Sequence, residues 1–261
     1  MEEATERSKR LVTDRFARAA EGYVRHTILA EGDELDAMVE LAALTGTERV
    51  LDIATGGGHT ALAFAPHAAE VVATDLTPEM LDAARGFAVE RGATNVRFEV
   101  ADAEALPFAD ETFDVATARF APHHFPHPER FCAEVRRVLR PGGRFVMFDN
   151  MAPEDDELDA FVNRFERWRD PGHERARRLS EWRGMLEAAG MRVAPSPPLS
   201  RKRYDYDEWT ARMHVPAAEK DALARWLLQA PRRCAEYFRV TADGDRVTSL
   251  EATFGLIAAV R

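Results

Sequence analysis

The sequence predicts an α/β fold built on a doubly wound, mostly parallel sheet, and three observations carry that prediction. A glycine run at Gly56, Gly57 and Gly58 joins an apolar strand to a helix. Strand-like and helix-like runs alternate from residue 48 to residue 150. An acid follows each of the next two strands, Asp75 after the second and Asp102 after the third. Strand–crossover–strand alternation gives a parallel sheet with right-handed crossovers. Ligands of such sheets lie at the carboxyl ends of the strands, where strand order reverses.

The elements follow in order. Leu11, Phe16, Ala19 and Tyr23 recur at roughly helical spacing, so residues 1–30 read as one or two short amphipathic helices. Asp33 is a candidate cap for a helix bearing Leu35, Met38, Val39, Ala42 and Ala43 on one face, ended by Gly46. Val50, Leu51 and Ile53 make strand one, and the helix after the glycines starts at His59. Strand two is Glu70 to Asp75, and Thr77 and Pro78 open the next helix, where the missing proline N–H costs nothing. Strands three, four and five are expected at 95–100, 112–118 and 144–149, with a helix from about Pro128 to Leu139 before the fifth. Beyond residue 150 the alternation stops. Helices are expected within 151–178, at 180–190 and within 205–240, with a short strand at 191–194 and a buried strand at 250–260.

Composition narrows the function. A length of 261 residues suits one domain with embellishments. A formal net charge of −10 argues against a nucleic-acid phosphate partner. No apolar run reaches the roughly 18 residues of a membrane span, and the acidic start is unlike a signal peptide, so a cytoplasmic protein is expected. Cys132 and Cys234 show no C-x-x-C spacing or His cluster, hence neither a disulfide framework nor a metal site is expected.

The glycine stretch has two readings. Residues 56–61 satisfy the dinucleotide pattern G-x-G-x-x-G/A with Asp75 as the ribose-binding acid, which suits an NAD-dependent oxidoreductase. Asp52, an acid inside the strand, does not belong to that pattern. Asp52 to Gly58, the run from Asn95 to Val115 and the run from Arg137 to Arg144 together resemble class I S-adenosylmethionine (SAM) methyltransferases. The resemblance is to the small-molecule branch, near the ubiquinone/menaquinone-biosynthesis C-methyltransferases, and covers roughly residues 48–150.

That resemblance implies a Rossmann-like, seven-stranded sheet with an antiparallel C-terminal strand, N-terminal helices, and helical insertions forming a cap. It frames 1–261 as a single methyltransferase domain: an N-terminal helical segment or lid at 1–46, a SAM-binding core at 47–150, helical insertions at 151–178 and 205–240, and completion of the sheet by 179–204 and 241–261. The cofactor is SAM, with S-adenosylhomocysteine (SAH) as product. Asp52, Ala54, Gly56 and Gly58 would line the methionine moiety, Ala54 standing where many relatives have glycine. Asp75 would hold the ribose hydroxyls, with Leu76 and Met80 near the adenine. Asp102 would accept from the adenine amino group, and the Ala103 N–H would donate to a ring nitrogen. The Arg119 backbone would hold the methionine amino group, and Tyr23 would close over the cofactor as part of the lid.

His123 and His124, after strand four, are the candidate general bases for a hydroxyl or activated-carbon acceptor. Asp149 and Asn150 are candidate substrate contacts. Phe161, Phe165, Trp168, Trp209 and Trp226 read mainly as core, and the arginines at 164–178, interleaved with acids, as an ion-paired face. A SAM-binding protein without catalysis stands as the alternative to an enzyme acting on a small apolar or aromatic acceptor.

Overall fold

Residues 50–53, 71–73 and 115–118 form near-continuous apolar runs that are buried throughout, as strands covered by helices on both faces require. The computed structural model describes residues 5, 7, 9–17 and 32–261 and divides into two compact units. The first comprises residues 1–149, 183–197 and 256–261.

In this unit β1 (Arg49–Ile53) pairs in parallel with β2 (Glu70–Asp75) on one side and β4 (Phe113–Arg119) on the other. β2 pairs in parallel with β3 (Val96–Val100), and β4 with β5 (Leu139–Ala152). With β7 (Arg192–Val193) and β10 (Arg246–Val260) the strand order is β3-β2-β1-β4-β5-β10-β7, and β10 runs antiparallel to β7. This is the mostly parallel Rossmann-like sheet with one antiparallel strand that the sequence predicts. Strand order reverses between β1 and β4, which opens a crevice at their carboxyl ends.

Helices α1 (Asp33–Ala42), α2 (His59–Phe64), α3 (Pro78–Glu90) and α4 (Pro128–Val138) precede or connect these strands. Thr77 is the N-cap of α3 and Pro78 its first residue, as expected. Two boundaries differ from the sequence reading. Gly32, not Asp33, is the N-cap of α1, and the helix stops where Ala43 turns left-handed at φ 47°, before Gly46. β5 starts five residues earlier than expected and passes through Pro141-Gly142-Gly143. The Gly142 N–H donates to Arg261 O at 3.1 Å and the Arg261 N–H to Gly143 O at 2.9 Å. That partner lies too far along the chain for local patterning to reveal it.

The second unit comprises residues 150–182 and 198–255. Helices α5 (Asp156–Arg169), α7 (Tyr206–Ala211), α8 (Ala217–Leu228) and α9 (Arg232–Tyr237) surround a buried cluster; α6 (Leu179–Ala188) crosses the boundary between units. Phe161, Phe165 and Trp209 belong to that cluster, and Trp168 and Trp226 pack partly buried against it. Of the six arginines of 164–178, three are ion-paired among the described residues: Arg169 with Glu166, Arg175 with Asp159, and Arg178 with Asp156 and Asp159. β8 (Ser200–Asp205) and β9 (Thr241–Asp243) pair antiparallel with β10, and β6 (Arg177–Arg178) pairs with the end of β5. No described helix is long and apolar enough to cross a membrane.

Candidate functional site

The loops after β1, β2, β3 and β4 converge on one cavity of about 1000 Å³, its open mouth included. Ala54 and Gly56 line it from the first loop, Asp75, Leu76 and Met80 from the second, and Asp102 and Ala103 from the third. Arg119 at the end of β4 and Phe120, His124 and Phe125 after it also line it, and Lys9, Val12 and Phe16 come from the helical stretch 9–17. Asp52, Gly58 and His123 lie beside the cavity, not in its lining. Tyr23 lies outside the described residues.

Glycine has a specific use at two positions. Gly56 takes φ +54°, and a Cβ there would come within 3.5 Å of the Met80 methyl. Gly58 takes φ +82° as the N-cap of α2, and a Cβ would meet Ala84 Cβ at 3.1 Å. Ala54 also adopts a left-handed φ, +55°. A side chain there costs roughly 1–2 kcal/mol, a strain typical of ligand-binding turns.

The acids are held differently. Asp52 is buried and accepts from Thr55 Oγ1 at 2.6 Å on Oδ2, while Oδ1 has no hydrogen-bond partner among the described residues. Burial pushes its pKa up to about 7. Asp75 accepts from the Gly56 N–H at 3.0 Å and the Thr77 N–H at 2.9 Å, so it braces the two loops that flank it. Burial raises its pKa against those bonds. Asp102 accepts from the Glu104 N–H at 2.9 Å and from Lys9 Nζ at 2.6 Å. No hydrogen bond engages the Ala103 N–H among the described residues.

At the end of β4, Arg119 donates to Thr60 Oγ1 at 3.0 Å and pairs with Glu34 at 3.3 Å. Burial lowers its pKa. His123 is buried, its Nδ1 2.6 Å from Asp149 Oδ1 and its backbone N–H 2.7 Å from Asp149 Oδ2. The His124 ring lies 4.1 Å from the His123 ring and meets Phe16 edge-on at 5.5 Å. Asp149, a candidate substrate contact, is buried and holds His123. Lys9 and Glu104 escaped the sequence reading; the only signal was the i, i+3, i+7 spacing of Lys9, Val12 and Phe16, one face of a helix.

A family model described as a methyltransferase domain matches residues 51–147. The chain is 41% identical over 226 residues to the uncharacterized methyltransferase YcgJ of Bacillus subtilis, covering 87% of this chain and 89% of that protein. The chain belongs to the SAM-dependent methyltransferase family. A crystal structure of a candidate methyltransferase from Bacillus halodurans superposes on this methyltransferase with a TM-score of 0.85. The two are 40% identical, over 88% of this chain and 99% of that one. The demethylmenaquinone methyltransferase of Thermus thermophilus is 45% identical over 117 residues, 44% of this chain and 53% of that protein. The methyltransferase is thereby an enzyme, and the NAD-dependent oxidoreductase alternative falls.

The site fits the family's cofactor on its own evidence. An orphaned buried carboxylate oxygen on Asp52 suits a cationic amino group. The bare glycine turn admits a ligand against the backbone. An unengaged N–H at Ala103 beside the Asp102 carboxylate offers a donor and an acceptor side by side.

Proposed function

We propose that this methyltransferase binds SAM and SAH in the cavity at the β1/β4 switch point and methylates a small apolar or aromatic molecule. The observation that carries this is convergence: eight of the eleven cofactor residues expected from sequence line a single cavity. Asp52, Ala54, Gly56 and Gly58 are assigned to the methionine end. Asp75 is assigned to the ribose, and Leu76, Met80, Asp102 and Ala103 to the adenine. The Arg119 backbone is assigned to the amino group. Bound SAM supplies an electrophilic sulfonium methyl for in-line displacement.

The protein's own part is to orient the acceptor, exclude water and take a proton. His124, in the cavity lining, is the base we assign, with His123 behind it. Phe16, Phe120 and Phe125 in the same lining favour an apolar acceptor, as does the relative named for demethylmenaquinone. Cys132 and Cys234, buried and in no disulfide among the described residues, suit a cytoplasmic setting.

Calorimetry with SAH tests the cofactor half of this reading. The other half rests on His124→Ala: SAH binding is expected to hold while methyl transfer, to an acceptor found by metabolite screening, falls about 10²–10⁴-fold. Loss of SAH binding would move His124 to the cofactor site, and unchanged transfer would remove it from the chemistry.

A further inference from the structure

Lys9 is a cation that no reading of the fold has so far used. Its ammonium has three N–H donors. One meets Asp102 Oδ2 at 2.6 Å and another Glu104 Oε2 at 2.8 Å. The third has no partner among the described residues. The side chain is only 17% exposed and lines the same cavity as Asp102 and Ala103. A part-buried ammonium with a spare donor is poorly solvated, and an acceptor atom on a ligand would complete it.

From these contacts we infer that Lys9 is a purine-binding residue, donating to a ring nitrogen of the adenine whose amino group Asp102 accepts. The inference rests on the cofactor reading above and extends it. Adenine presents an exocyclic amine as donor and ring nitrogens as acceptors. Asp102 offers the acceptor, and Lys9 and the Ala103 N–H offer donors to two different ring nitrogens. Base specificity is then shared between strand three's loop and the helical stretch 9–17. Val12 and Phe16 line the cavity from the same helix face, so Lys9 is directed into the cavity along with its neighbours. Burial pulls the Lys9 pKa down, but the bonds to Asp102 and Glu104 outweigh it and hold the group above its ordinary value. The group therefore stays a charged donor and does not act as a base.

The test compares the Kd of SAH with those of its 1-deaza, 3-deaza and 7-deaza analogues, by calorimetry on the full chain. The proteins are wild type, Lys9→Met and Lys9→Arg. A charge-assisted bond gives about tenfold or more in affinity. Wild type is expected to lose that factor for one analogue beyond the position served by Ala103, and Lys9→Met to bind that analogue and SAH alike. Lys9→Arg keeps both acids neutralised, so loss of the same discrimination in it separates ring contact from charge balance. It also carries the test if Lys9→Met fails to fold. Equal deaza losses in wild type and both variants would overturn the Lys9 contact while leaving SAM binding intact. Failure of wild type to bind SAH would overturn the cofactor reading itself.

Discussion

At the scale of single residues, Asp52 makes the cavity sensitive to pH. Its carboxyl titrates near 7 in the folded chain because burial penalises the charge, against about 4 when unfolded. Between those values the folded state binds the extra proton, so this group's contribution to stability falls as pH rises from about 4 to 7 and is level above. A cationic ligand group favours the ionised form. Affinity for SAH is therefore expected to rise with pH up to about 7, a slope that Asp52→Asn should flatten; calorimetry between pH 5 and 9 reads both. Asp75→Asn tests a second carboxylate. The amide keeps the volume but loses the charge that, under the proposed assignment, accepts the ribose hydroxyls, so SAH should bind at least about tenfold more weakly. Unchanged affinity would leave Asp75 only its bonds to Gly56 and Thr77. Both acids stood out in the sequence because each follows or sits within an apolar run. The Lys9 pairing did not, since 93 positions separate it from Asp102.

At the scale of elements, the turn from β1 into α2 couples fold to site. Gly58 holds φ +82° and packs against Ala84. Gly58→Ala adds a left-handed side chain with a 3.1 Å contact, and is expected to cost about 1–2 kcal/mol. Denaturant melts would show it as a lower midpoint at unchanged slope. Elements with local signatures were readable: the Thr77-Pro78 start of α3, the glycine turn, and the helical spacing of Phe161, Phe165 and Trp168 in α5. β8 was not. Residues 179–204 were expected only in general terms to complete the sheet, and it is the register setting Leu250 opposite Tyr204 that makes Ser200–Asp205 a strand. Phe161, Phe165, Trp168, Trp209 and Trp226, read mainly as core, form the core and margin of the second unit, where burial of large rings is the ordinary outcome.

At the scale of the whole molecule, ligand binding and folding are linked. SAH at a hundred times its Kd adds about 2.7 kcal/mol, which should raise the melting temperature by roughly 5–10 °C. NAD should give no shift, and the reverse pattern would refute the cofactor assignment. The chain order of the two units has a further consequence, for synthesis. Residues 256–261, which return in β10 to the far side of β5, are encoded after the whole of the second unit. Translation at about 5–20 residues per second leaves the nascent β3-β2-β1-β4-β5 layer waiting some 5–20 s for its next strand. During that interval the outer edge of β5 is a row of unpaired amides and carbonyls, open to another chain. Ribosome pausing across residues 150–255 would lengthen that exposure, so slow codons there should lower soluble yield without altering the finished protein.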